Sequence, residues 1–221
     1  YITPQEFNLF ADKAQLEIFD SYFHDYKTVD LKPKTSFTHG DDGTILEEKI
    51  AIFREESLIE VVVEDIDNPT NTLTLPGDLY RLKLVQVPVS VGGSVIDVEV
   101  TQMNEKDVLT TELHPLTKAP KNRPIYTRYS GGLRIYPTFT INTNVKLVYY
   151  KEPITPEWAY VVVQGRALYN SNESENFELH PSEEEMLVAK ILQLSGVVIM
   201  KPEVVQAGGG LEAAINQTQN D

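Results

Sequence analysis

Apolar residues recur at helical spacing at both ends of the chain and at period two between them. Thr3-Pro4-Gln5-Glu6 offers an N-capping threonine, a proline at the first helical position and a glutamate placed to reach back to the cap. Phe7, Phe10, Ala11, Ala14, Ile18 and Tyr22 follow at helical spacing, and Leu16, Phe19, Phe23 and Tyr26 widen the stripe to a second side. A helix apolar on two sides packs between two neighbours, so core burial and a subunit contact both fit it. Residues 28–43 are polar and broken by Pro33, Gly40 and Gly43, and read as a loop. Thr44-Ile45-Leu46-Glu47 then opens a second short helix to about Phe53.

The middle of the chain is written for strands. Ser57 to Val63 is rich in β-branched residues, Asn68-Pro69-Thr70-Asn71 is a turn, and Thr72 to Leu75 is placed to return along the first strand. Tyr80 to Val85 alternates apolar and polar residues, an antiparallel signature. Val95 to Thr101 follows a Gly92-Gly93 turn, and Asn104 caps a short helix through Leu113. Pro124 to Tyr129, Gly131-Gly132 and Leu133 to Tyr136 read as a hairpin, with Val145 to Tyr150 next and Ala159 to Gln164 as one further strand.

After a polar loop at Asn170 to Asn176, Pro181 and Ser182-Glu183-Glu184-Glu185 place negative charge on the first turn of a helix, where the macrodipole favours it. Leu187, Ile191, Leu194 and Val198 carry its stripe. Pro202 separates a last segment, in which Gly208-Gly209-Gly210 reads as a hinge. The expected class is α+β, an antiparallel β region bracketed by N-terminal and C-terminal helices. The expected parts are a helical segment over 1–56, a β domain with one short helix over 57–169, a helical segment over 170–206 and a flexible or docking tail over 207–221.

Composition sharpens this picture. At 221 residues, 41% hydrophobic and 24% charged, the chain is expected to bury roughly 70% of its unfolded surface without a disulfide or metal. It has no cysteine, which excludes disulfides, thiolate metal sites and a cysteine nucleophile. The formal charge of −14 disfavours binding driven by phosphate neutralisation. It serves solubility, or lets DNA pass without sticking. No apolar window approaches the 18 or so residues of a membrane span, and the start carries no basic, signal-like leader. A first residue of Tyr1 implies a processed or trimmed start.

Residues that could carry chemistry occur without the spacing that chemistry needs. His24, His39, His114 and His180 are too far apart for helical metal-ligand spacing. Ser130-Gly131-Gly132 is half a nucleophile elbow and reads as a hairpin tip. Gly208-Gly209-Gly210 lacks the Lys-Ser/Thr of a P-loop. Asp41-Asp42, Glu55-Glu56 and Glu183-Glu184-Glu185 read as solvated or capping charge, and Asp65-Ile66-Asp67-Asn68 is only a fragment of a calcium loop. No catalytic residue, cofactor or metal is assigned. Trp158, the single tryptophan, is either core or an interface anchor.

Four phrases resemble structural proteins of short-tailed phages, especially ring proteins of the crAss-like group. They are Leu75-Pro76-Gly77-Asp78-Leu79-Tyr80-Arg81-Leu82, the pair Arg123-Pro124-Ile125-Tyr126 and Leu133-Arg134-Ile135-Tyr136-Pro137, the stretch Lys146 to Trp158, and Phe177-Glu178-Leu179 leading into Glu183 to Leu192. The order of elements is also similar to the head–tail adaptor family, tail tubular protein A. That resemblance implies a non-enzymatic virion protein of the neck or tail, made in the host cytoplasm. It implies a homo-oligomeric ring, usually of twelve copies, between the portal and neighbouring ring or tail proteins, with DNA passing through an acidic lumen. Ring closure then needs a heterologous interface, for which Phe7, Phe10, Tyr22, Trp158, Gly208, Gly209, Gly210 and Leu211 are the candidates. By analogy with adaptor tails, Ala207 to Asp221 is expected to order on docking. Two other classes compete: a receptor- or carbohydrate-binding β module using Tyr126, Tyr129, Tyr149 and Tyr150, and a tail-associated glycosidase.

Overall fold

A computed structural model describes residues 2–31, 38–63, 71–91, 93–138, 144–198 and 202–220. The class is α+β, with helices at both ends of the chain and an antiparallel β region between them in sequence. The chain forms two compact units: Phe53–Glu152 is one, and Tyr1–Ile52 with Pro153–Asp221 is the other.

In the Phe53–Glu152 unit the strands are β1 (Arg54–Glu60), β2 (Val62–Val63), β3 (Asn71–Thr74), β4 (Leu79–Val91), β5 (Ser94–Glu99) and β6 (Thr101–Gln102). After helix α3 (Glu105–Leu113) come β7 (Ile125–Tyr129), β8 (Gly132–Tyr136) and β9 (Asn144–Lys151). They form a four-stranded sheet in the order β1-β9-β4-β5 and a five-stranded sheet in the order β2-β3-β8-β7-β6. Among the described residues every strand pair of this unit is antiparallel except β6 with β7. The period-two pattern explains the core. Val85, Val87 and Val89 of β4 and Val145, Leu147 and Tyr149 of β9 point to one face, where they meet Leu73, Tyr126, Leu133 and Ile135 of the other sheet. Tyr126 and Tyr149 are therefore core residues, which removes two members of the expected aromatic platform.

The β7–β8 hairpin turns at Ser130-Gly131, and Gly132 already belongs to β8, paired with Tyr129. Gly132 has φ +156°, and a Cβ there would lie 1.9 Å from the Leu73 carbonyl oxygen, so β3 approaches β8 only because no side chain intervenes. Helix α3 starts after Asn104 as expected, although the Asn104 side chain makes no capping bond. It buries Val108 against Ala119 and Ile125.

In the other unit, helix α1 (Pro4–Leu31) begins at the expected capping box: Thr3 N donates to Glu6 Oε2 at 2.8 Å and Glu6 N donates to Thr3 Oγ1 at 3.3 Å. The bond from Thr3 N, with a second from Thr3 Oγ1 to Glu6 Oε2 at 2.8 Å, holds the Glu6 carboxyl below its ordinary range. Helices α1 and α2 (Thr38–Ala51) reach further into the expected loop than the polar composition implied, leaving only 32–37 outside the described residues. The expected turn at Asn68–Asn71, up to its last residue, and the acidic fragment Asp65–Asn68 also lie outside them. Ala14, Ile18, Phe19 and Tyr22 are buried, so Tyr22 serves the core of its own unit rather than a subunit contact.

Strands β10 (Tyr160–Val163) and β11 (Arg166–Tyr169), helix α4 (Glu184–Val198), entered through a 3-10 turn at Pro181–Glu183, and helix α5 (Pro202–Asn220) complete this unit. The expected boundaries after residues 56 and 169 are thus displaced, and the hairpin sorts with the helices. The segment over 207–221, expected as a flexible or docking tail, is helical through Asn220. Its glycine triplet is no hinge. Gly208 is buried against α4, where an added Cβ would lie 2.8 Å from Gln193 N, whereas a Cβ at Gly209 or Gly210 would meet nothing within 4 Å. A helix interior tolerates glycine at a cost of about 1 kcal/mol when close packing requires it.

Candidate interaction site on the terminal-helix unit

Two amide side chains on α1 position the site. Asn8 Oδ1 accepts from Trp158 N at 3.0 Å and its Nδ2 donates to Trp158 O at 3.4 Å, imitating a strand partner. Gln15, fully buried, donates from Nε2 to Ile154 O at 2.8 Å and accepts from Glu178 N at 2.9 Å. Glu178 Oε2 in turn accepts from Ile154 N at 3.1 Å. Two turns of helix separate Asn8 from Gln15, about 10 Å along the axis, so both amides lie on one face of α1, opposite the segment from Ile154 to Trp158. The spacing lets one helix face hold that segment at both ends.

Trp158 leads into the hairpin. Its ring stacks on Tyr160 (centroids 5.9 Å, planes 21° apart) and on Tyr169 (6.2 Å, 18°), giving an offset aromatic ladder. Ser174 Oγ accepts from Ala159 N at 3.0 Å and donates to Asn170 O at 2.7 Å, closing the base of the hairpin. At the tip, Gln164 (φ 52°) and Gly165 (φ 75°) both take positive φ, the two-residue turn that matches strand twist. The sequence reading missed β11. The signal was Gln164-Gly165 between two apolar runs, concealed because glutamine is not the usual first residue of such a turn.

The hairpin is exposed on both faces. Val161, Val162, Val163, Leu168 and Tyr169 are each 47–64% accessible, and three of them are consecutive. A strand half-buried on a core would hide every second side chain. Among the described residues β10 and β11 pair only with each other, so each has an open edge. Beside the hairpin, Ile2, Thr3, Pro4, Phe7, Trp158, Gly165, Arg166 and Ala167 line a shallow groove of about 610 Å³.

Of the expected interface residues, Phe7 and Trp158 come together at this groove. Phe10 is half-buried on α1, and Leu211 is exposed on α5 beside Gly210. Tyr22 lies in the core next to a buried Lys49–Glu183 ion pair, its ring 5.9 Å from Lys49 Nζ. Burial, then the Glu183 carboxylate, pushes the Tyr22 hydroxyl far above the ordinary tyrosine range.

Among the described residues no group of three or more His, Asp or Glu side chains is placed to hold a metal ion. No described helix is long and apolar enough to cross a membrane. No family model matches the chain, and no curated protein matches it.

Proposed function

We propose that this chain is a non-catalytic virion subunit that assembles with copies of itself into a ring of a portal–tail connector, around a negatively charged passage for DNA. The observation that carries the reading is the β10–β11 hairpin. A two-stranded hairpin alone is marginal in water, and this one turns apolar residues to solvent on both faces. Such a ribbon is stabilised when a neighbouring subunit covers it, and a ring supplies that neighbour by a heterologous contact. The resemblance of residues 75–205 to phage ring and adaptor proteins supplies the setting. The charge of −14 suits a lumen that DNA traverses without phosphate traps.

Electron microscopy and sedimentation of the purified chain test this. Rings are expected, with antibody labelling of virions at the neck. Val162→Lys with Leu168→Lys in the hairpin is expected to disperse the rings while each subunit stays folded. Monomers at every concentration, or label elsewhere on the particle, would overturn it.

One observation favours a second reading, a carbohydrate-binding module. The stacked Trp158, Tyr160 and Tyr169 rings are a surface of the kind sugars lie against, in a different place from the tyrosines first expected there. A glycan-array signal lost in Tyr169→Ala, from a protein that stays monomeric, would establish it instead.

A further inference from the structure

Charge is distributed very unevenly along this acidic chain. From Leu113 through Lys151 there is no Asp or Glu, while Lys118, Lys121, Arg123, Arg128, Arg134, Lys146 and Lys151 all fall there. All 33 carboxylates lie outside that stretch. The fold sorts these cations. Lys118 pairs with Glu112, Lys146 with Glu56 and Lys151 with Glu55, and Arg134 lies over the Tyr129 ring. Lys121, Arg123 and Arg128 are exposed and have no ion-pair partner among the described residues.

Two of them sit on the loop between α3 and β7, which also presents apolar surface. Leu116 is fully exposed, and Leu109 and Leu113 on α3 are largely so. The loop is held in shape from within. Thr117 N and Lys118 N both donate to His114 O at 3.0 Å, Arg123 N donates to Pro120 O at 3.0 Å, and Ala119 is buried against Val108 and Ile125. Pro115, Pro120 and Pro124 restrict the backbone further. A preformed loop loses little conformational entropy on binding.

We infer that the α3–β7 loop is a docking surface for a second copy of this chain, gripping a carboxylate-rich face through Lys121 and Arg123 with Leu113 and Leu116 beside them. The inference rests on the ring reading and deepens it. Copies that each carry −14 repel one another, so a place where opposite charges meet favours self-association. This loop is the cationic, acid-free half of such a contact, and the rest of the chain provides the anionic half. The contact is head-to-tail, as a closed ring requires.

Sedimentation velocity of the full chain at low and high salt, for wild type and for Lys121→Glu/Arg123→Glu, provides the test. The wild type is expected to self-associate at low salt and weaken as salt rises. The variant is expected to associate at least about tenfold more weakly while melting as the wild type does, because exposed substitutions change stability little. Wild-type oligomers that persist unchanged in the variant overturn this inference and leave the ring reading intact. A wild type that is monomeric throughout overturns both. Retardation of duplex DNA by the wild type and not by the variant, with self-association unchanged, assigns the loop to nucleic acid and also overturns the inference.

Discussion

Gly208 lies so close to Gln193 that a methyl group added to it would sit 2.8 Å from the Gln193 amide nitrogen and 3.0 Å from its Cα. The Ala189 carbonyl oxygen would be 3.0 Å away on the same side. These are backbone atoms of α4, which cannot swing aside as the end of a flexible side chain can. Close approach of α5 to α4 at this point therefore depends on the missing Cβ.

The glycine triplet should accordingly split. Gly208→Ala is expected to destabilise by about 1–3 kcal/mol through overpacking. Gly209→Ala and Gly210→Ala, which meet nothing within 4 Å, are expected to stabilise by about 0.5–1 kcal/mol each through helix propensity. Denaturant midpoints of the three variants check this. Equal effects at all three positions would mean that α5 does not pack as described.

Gln15 holds two chain segments that are distant in sequence. Gln15→Ala would leave the Ile154 carbonyl and the Glu178 amide without this partner, each at a cost of about 1–3 kcal/mol where water cannot enter. Hydrogen exchange at residues 153–160 is expected to accelerate in this variant, while the sheets of the Phe53–Glu152 unit keep their protection. Unchanged exchange at 153–160 would sink the idea.

The Lys49–Glu183 pair is largely out of water, with side chains 12% and 5% accessible. Lys49→Met is expected to cost about 3–5 kcal/mol because it strands a buried carboxylate. The double variant Lys49→Met/Glu183→Leu should recover most of that loss. A double-mutant cycle measured by unfolding reads the coupling directly, and additive losses would count against the pair.

Three tyrosines give the protein an alkaline limit. Burial, with Glu183 beside Tyr22 and Asp78 beside Tyr149, raises the hydroxyl pKa of Tyr22, Tyr126 and Tyr149. The Tyr149 hydroxyl also donates to the Asp78 carboxylate at 3.4 Å. The folded state holds these protons more tightly than the unfolded chain, where tyrosine titrates near pH 10. Their contribution is fully present below about pH 10 and is lost as pH rises through the folded values. The melting temperature is expected to fall above that pH, and tyrosinate absorbance should show part of the 11 tyrosines ionising only with unfolding. Ionisation of all of them together in the folded protein would contradict the burial.

By itself the sequence determined whatever depends on neighbours a few residues away. Thr3, Pro4 and Glu6 announce a helix start because the bonds that make it close within one turn. The alternation through Val85, Val87 and Val89, and through Val145, Leu147 and Tyr149, marks strands because a pleated backbone sends successive side chains to opposite faces. The α+β class follows from those local signals. Tertiary structure decided what rests on distant partners. It made Gly208 a packing notch rather than a hinge, because α4 passes over it, and it turned Tyr126 and Tyr149 from a platform into core, because a second sheet covers them. It gave Asn8 and Gln15 backbone partners some 140 residues or more along the chain, which no local pattern announces. The acid-free stretch was written in the sequence, yet only the fold separated the cations neutralised by neighbouring carboxylates from Lys121, Arg123 and Arg128, since ion pairing depends on distance in space and not on order in the chain.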